Sequence, residues 1–190
     1  MKNTFDIQET LAGCLRDNRV HQRALVDNYS GLLYVICNRY LGDAHLAQDA
    51  VQESWSLIFK NLDKYDSTKG KFESWASKIS IRQCLNNLAK KKLKIVDFTA
   101  TSVGETSSDL QKQMMSRLNA NQLTALVTEL PESYRTVFNM VVIDGYTHKE
   151  IADLLNLTVV NSRARLNRAR NILKEKINSL NNTDSWVNTI

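Results

Sequence analysis

The sequence predicts an all-α chain: two small helical domains joined by a flexible linker, the second containing a helix-turn-helix. Three observations lead there. The 190 residues include six Gly and one Pro, too few for a turn-rich β fold. Apolar residues recur at three- and four-residue spacing in two blocks, about 1–94 and 114–180, as helices with one buried face require. Residues 95–113 between them are rich in Ser and Thr, mildly acidic and without apolar periodicity, which reads as a linker.

In the first block, residues 1–17 are weakly helical at best, with Phe5, Ile7, Leu11 and Leu15 as the candidates for a stripe. From about 20 to 41 the pattern strengthens, and Leu25, Tyr29, Leu32, Leu33, Ile36 and Tyr40 mark one side of a helix that Gly42 ends. Asp43 can cap the next helix, whose inner face is Leu46, Ala50, Val51, Trp55, Ile58 and Leu62. Its outer face, Gln48, Asp49, Gln52 and Glu53, is acidic and amide-rich within a basic protein. Residues 64–71, KYDSTKGK, carry loop chemistry. A helix then starts at Phe72. Phe72, Trp75, Ala76 and Ile79 share one face, but Ile81, Cys84, Leu85 and Leu88 fall on roughly the opposite one. Either the helix kinks near Ser80 or different neighbours cover its two halves. It closes on Lys90, Lys91, Lys92 and Lys94, where cations suit a helix C-terminus or phosphates.

In the second block, order returns at Leu118, and Leu123, Leu126, Val127 and Leu130 form a stripe. Pro131 can occupy the first turn of a helix that points Tyr134, Val137, Phe138 and Val141 inward and stops at Asp144-Gly145. The helix-turn-helix spans Tyr146 to Lys176. Thr147 and Glu150 form a capping-box pair, Ile151, Leu154 and Leu155 an inner face, and Ala152 a point of close approach. Asn156 tolerates the left-handed backbone of a tight turn, and Thr158 can cap the second helix. Val159, Leu166, Ala169, Leu173 and Ile177 line one side of that helix. Asn161, Ala164, Asn167, Arg168 and Asn171 point the other way, flanked by Arg163, Arg165 and Arg170. Guanidinium groups pair with phosphates or guanine edges and Asn with adenine, so this face suits nucleic acid; the same pattern also fits a solvated basic helix. Residues 181–190 read as a frayed polar tail.

The net charge of +5 and pI near 9.1 favour a polyanionic partner without requiring one. Cys14, Cys37 and Cys84 are odd in number and sit in apolar helical settings, which fits reduced core thiols of a cytoplasmic protein. No apolar run reaches the roughly 18 residues a membrane span requires. His21, His45 and His148 are scattered, with no metal spacing, nucleophile elbow or phosphate-cradling Gly loop, so no enzyme class, metal or cofactor is expected.

The chain resembles a bacterial sigma factor of the extracytoplasmic-function type, a compact branch of the sigma-70 family that keeps the second and fourth conserved regions. The stretches that carry the resemblance are GDAHLAQDAVQESW at 42–55, LDKYDSTKGKFESWASKIS at 62–80, LPESYRTVFNMVVIDGYTHKEIADLLNLT at 130–158 and RARLNRAR at 163–170. It implies a transcription initiation factor without catalytic residues. Such a factor binds core RNA polymerase, through the clamp helices of the largest subunit and the flap of the second, and directs it to promoter DNA. By the same resemblance, Asp49, Gln52 and Glu53 dock on the clamp. Asp66, Ser67, Thr68, Lys69 and Lys71, with Lys78 and Arg82, serve the minus-ten element, where the loop captures a flipped base and assists melting. Arg163, Ala164, Arg165, Asn167 and Arg168 serve the minus-thirty-five element. Phe72 and Trp75 match core positions rather than stacking ones. An anti-sigma factor or another recruiting partner is compatible with the family. A dimeric helix-turn-helix regulator is the alternative, but no ligand pocket, receiver domain or dimer seam is legible in the first block.

Two departures qualify the resemblance. Arg82 stands where the family usually has Asn, which bears on minus-ten preference. VVNS opens the recognition helix where a pattern like VGTV is common, so Val160 points outward and Ser162 inward. A buried hydroxyl costs on the order of 1–3 kcal/mol without a partner, and the carbonyl of Thr158 is the expected one. Altered or weakened readout at the upstream element follows.

Overall fold

The computed structural model describes residues 5–92 and 120–187, with side chains over 5–90 and 122–179. The chain divides into two compact units, Met1–Ile95 and Val96–Ile190. The described residues contain helices and no strand. The expected linker at 95–113, the start of order at Leu118 and the side chains of Lys91, Lys92 and Lys94 lie outside them.

The first unit holds α1 (Ile7–Cys14), α2 (Arg19–Leu41), α3 (Ala44–Lys60), a 3-10 turn (Leu62–Lys64) and α4 (Phe72–Lys92). Helix α1 is firmer than the sequence suggests: the Asp6 carboxylate accepts from the amides of Gln8 and Glu9 at 2.8 and 3.1 Å, and Thr10, Leu11, Gly13 and Cys14 are buried. The apparent stripe misled because Leu15 is 58% exposed while Gly13, with no side chain to register, lies against the ring of His21. Asn18 caps α2, and Gly42 closes it at a left-handed φ of 67° that suits a residue without a Cβ. Asp43 caps α3 as expected, accepting from the Leu46 amide at 3.0 Å.

Helices α2, α3 and α4 pack pairwise, and α1 packs on α2. Leu32 and Leu46, expected in the core, sit on the surface; Cys37, Ala47 and Ser54 take buried places instead. The Ser54 hydroxyl is tolerated inside because it donates to the carbonyl of Ala50 at 2.6 Å. Helix α4 runs without interruption from Phe72 to Lys92. Ser80 is itself buried, donates to the carbonyl of Ala76 at 3.2 Å, and joins Phe72, Ala76, Cys84 and Leu88 into one winding stripe that both α2 and α3 cover.

The second unit holds α5 (Ala120–Thr128), α6 (Glu132–Phe138), a π-helical turn (Asn139–Ile143), α7 (His148–Leu155) and α8 (Val159–Val187). Helices α5, α6 and α7 each pack on α8. Pro131 precedes the first residue of α6, and Leu126, Val127, Leu130, Val137 and Phe138 are buried. The chain turns over Asp144 and Gly145, the latter at φ 74°. In α7 the buried pair is Ile151 and Ala152; Leu154 is 37% exposed, at the edge of the inner face. The expected frayed tail is helical as far as Val187, because α8 continues its register past Lys176.

Candidate functional site

Three surfaces carry the predicted residues. On α3, Asp49, Gln52 and Glu53 are all exposed, and Ala47, Ala50, Val51, Ser54 and Ile58 face the core. Glu53 does more than face solvent. Its Oε2 accepts from Gln83 Nε2 at 2.6 Å and from Asn87 Nδ2 at 3.1 Å, both on α4. A groove of about 450 Å³ lies there, lined by Gln52, Glu53, Ser56, Leu57 and Gln83. Gln83 and Asn87 carry no signal in the sequence, since an amide on an interhelical seam looks like any other polar position.

The loop before α4 borders a cleft of about 540 Å³, lined by Ile7, Gln8, Tyr29, Tyr65, the loop residues Ser67 to Lys71, Phe72 and Glu73. The loop is held by its own hydrogen bonds. Asp66 Oδ1 accepts from the Thr68 amide at 2.9 Å and the Thr68 hydroxyl at 2.7 Å, an Asx turn, and Tyr65 donates its hydroxyl hydrogen to the carbonyl of Gly70 at 3.0 Å. The Thr68 bonds, and after them Lys69 at 3.4 Å, hold the Asp66 carboxyl below its usual range. Asp66 therefore shapes the loop, while Ser67, Lys69 and Lys71 stay exposed. Behind the loop Phe72 is 2% exposed, with ring centroids of Tyr29 at 5.0 Å and Tyr65 at 5.6 Å. Trp75 is half-buried against Tyr65. Tyr29 donates to Glu73 at 3.3 Å, and burial, then that carboxylate, push its phenol up to about 12. Lys78 and Arg82, four residues apart, are exposed on α4. Helix α1 contributes Ile7 and Gln8 to this cleft, a share that its weak apolar stripe does not signal.

The helix-turn-helix follows its sequence signals closely. Thr147 and Glu150 form a complete capping box, Asn156 adopts φ 52° and ψ 53°, and the Thr158 hydroxyl accepts from the Asn161 amide at 3.1 Å. On α8, Leu166, Ala169, Leu173 and Ile177 are buried and Val160 is 71% exposed. Arg163 is exposed, whereas Ala164, Arg165, Asn167 and Arg168 are half-buried. Burial pulls the Arg165 guanidinium below its ordinary value. Ser162 is fully buried, and its hydroxyl meets His148 Nδ1 at 2.9 Å; it is the Ser162 amide that donates to the Thr158 carbonyl, at 3.0 Å. The hydroxyl therefore pairs not with the Thr158 carbonyl but with the His148 ring, which reaches it across the turn. Burial first, then Arg163 and Arg170, lower the His148 pKa. Among the described residues no cluster of His, Cys, Asp and Glu could hold a metal ion, and no helix is long and apolar enough to cross a membrane.

Two family models match the chain, sigma-70 region 2 over residues 25–93 and sigma-70 region 4 over residues 120–173, together more than half of it. The chain belongs to the sigma-70 family, in its extracytoplasmic-function branch. This sigma factor is 28% identical over 167 residues to the ECF RNA polymerase sigma factor SigW of Bacillus subtilis, covering 82% of this chain and 88% of that protein. It is 25% identical over 162 residues to SigM of the same organism, covering 85% of this chain and 94% of the relative. A solved structure, the sigma factor RpoE with the anti-sigma factor NepR from Bartonella quintana, is similar at 14% identity with a TM-score of 0.48, covering 80% of this chain and 94% of that one. The α3 face and the loop cleft fall within the region 2 match, and the helix-turn-helix falls within the region 4 match.

Proposed function

We propose that this sigma factor docks on core RNA polymerase through the α3 face, holds an extruded base of the minus-ten element in the loop cleft, and contacts the minus-thirty-five element with α8. In this division the first domain is residues 1–94, the linker 95–113 and the second domain 114–180. The observation that supports it most is the cleft before α4. It is about 540 Å³, is lined by the half-buried rings of Tyr29 and Tyr65, with Phe72 packed behind them in the core, and carries the exposed Lys69 and Lys71. Aromatic walls accept a base whatever its identity, and cations hold the phosphates on either side, so the strand gains contacts only once it is unpaired. That is how a protein without catalytic groups assists melting: it stabilises the open strand.

Docking draws on the acidic character of Asp49 and Glu53 within a basic chain, which favours a cationic partner and disfavours DNA at that face. Upstream contact draws on Arg163, Ala164, Asn167 and Arg168, with the half-buried Arg165 beside them. Val160 presents an apolar side chain beside those groups, so base readout there is weak. The test is to add the purified chain to sigma-free core polymerase and follow permanganate reactivity of promoter thymines together with run-off transcription. Open complexes and defined transcripts are expected from core plus this chain and from neither alone. Binding to core without promoter opening would remove the melting role and leave the docking role standing.

A further inference from the structure

The carboxylate of Glu53 is exposed, yet it is not free to rotate as an exposed glutamate ordinarily is. Two amides of α4, Gln83 Nε2 and Asn87 Nδ2, donate to the same oxygen, Oε2, at 2.6 and 3.1 Å. Gln83 is 9% exposed, so packing fixes it, and its Nε2 also reaches Asn87 Oδ1 at 3.3 Å, which orients the second amide. Oε1 accepts nothing from the described residues, and Glu53 lines the groove between α3 and α4 together with Gln52, Ser56, Gln83 and Leu57, the last 37% exposed.

We infer that Gln83 and Asn87 are positioning residues for the docking face: they hold Glu53 in the one rotamer that presents Oε1 to a cationic side chain of the partner. This rests on the docking role proposed for α3. A glutamate on a helix surface normally loses its rotamer freedom when a partner's cation arrives, and that loss weakens binding; here the ordering is already present in the free protein. A guanidinium or ammonium group on Oε1 can also approach the Gln52 amide oxygen, while its aliphatic stem lies on Leu57. With Oε2 occupied by two donors, the geometry selects one hydrogen bond to Glu53 rather than a bidentate fork. The docking face therefore extends onto α4, although no charge or motif there marks it.

The experiment measures the affinity of the full-length chain for sigma-free core polymerase. The variants are Gln83→Met, which keeps length and removes the donors, and Asn87→Leu. Each is made alone and with Glu53→Gln, and the urea midpoint of every variant is recorded. Gln83→Met should raise Kd roughly threefold to tenfold, the loss of one pre-ordered side chain. It should have little effect in the Glu53→Gln background. Gln83→Lys, which returns a donor of similar reach, should recover most of the affinity. Wild-type affinity in both single variants would overturn the inference, as would a loss of equal size in the Glu53→Gln background, which would mean a general effect on the α3–α4 seam. Tighter binding would also overturn it, since the amides would then be competing with the partner. A wild-type chain that fails to bind core at all is a different result: it removes the docking role itself.

Discussion

Ser162 occupies an inward position at the start of α8 with no exposed surface, and its hydroxyl is compatible with that place because the His148 ring stands 2.9 Å away. The bond joins the first residue of α7 to the first turn of α8, so a single polar pair sets how the two helices of the motif meet. Removing one partner leaves the other short of a bond in a half-dry site. Ser162→Ala should therefore cost about 1 kcal/mol in urea unfolding. The ring also makes the motif sensitive to acid. Burial, Arg163 and Arg170 all lower the His148 pKa, so the folded chain takes up its proton less readily than the unfolded one. Stability is then full above the unfolded value of 6.5 and is lost as pH falls through the folded one. The urea midpoint should fall between about pH 7 and about pH 5, and His148→Gln should flatten that step; an unchanged slope in the variant would detach the acid response from this ring. Gly13 offers a steric counterpart. A Cβ there would sit 2.2 Å from Cγ of His21, the root of the side chain rather than its movable end. Gly13→Ala should destabilise by roughly 1–3 kcal/mol, and His21→Ala in the same chain should recover much of the loss. Equal midpoints for the single and double variants would mean that the ring can move aside.

Between α5 and α6 the junction is made by one buried cation. Arg135 is 8% exposed and donates from Nη1 to the carbonyls of Thr128 at 2.7 Å and Leu130 at 3.3 Å, which lie at and just beyond the end of α5. Those carbonyls have no partner within their own helix, so the guanidinium of the next helix serves as the C-terminal cap. Arg135→Met keeps much of the stem and removes the donors. It should lower stability by about 2 kcal/mol, and the loss should exceed that of Arg163→Met on the exposed face of α8, both read by urea unfolding. Local signals that act within one turn are legible in the sequence: Asp43, Gly42, Thr147 with Glu150, Asn156 and Thr158 all cap or turn where their chemistry says. What escapes is whatever depends on a second element. Ser80 interrupts the apolar stripe of α4 in the sequence, yet it completes that stripe in space by bonding to Ala76. Leu32 and Leu46 count as core by type but fall just off the faces that α2 and α3 bury. The functional surfaces divide the same way: the acidic face of α3 and the polar loop could be read from residue type and spacing, whereas Gln83, Asn87 and the part of α1 in the cleft become visible only when helices far apart in sequence are brought together.

Across the whole molecule, opposite charges gather on different helices. The chain is +5 in total, but Asp49 and Glu53 make the α3 face acidic, and Arg163, Arg168 and Arg170 make α8 basic. An acidic surface in a DNA-binding protein repels the polyanion, so under the proposed docking role the two surfaces should fail in distinguishable ways. Reversing charge with Asp49→Lys and Glu53→Lys together should weaken binding to core polymerase more than tenfold, roughly 1.4 kcal/mol, and leave the urea midpoint within about 0.5 kcal/mol of wild type. Arg163→Ala and Arg168→Ala should do the reverse, leaving core affinity unchanged. For the holoenzyme on a promoter fragment, each should lower the slope of log K against log salt by about 1, one phosphate contact per guanidinium, because each contact releases condensed counterions. A weakened core interaction in the arginine variants, or an unchanged salt slope, would mean that α8 does not work as a separate DNA anchor. If the arginine variants lower the slope equally on promoters of different upstream sequence, α8 holds the backbone without reading bases, as the outward Val160 leads one to expect. A sequence-dependent loss would instead assign Asn167 or Arg168 to a base edge.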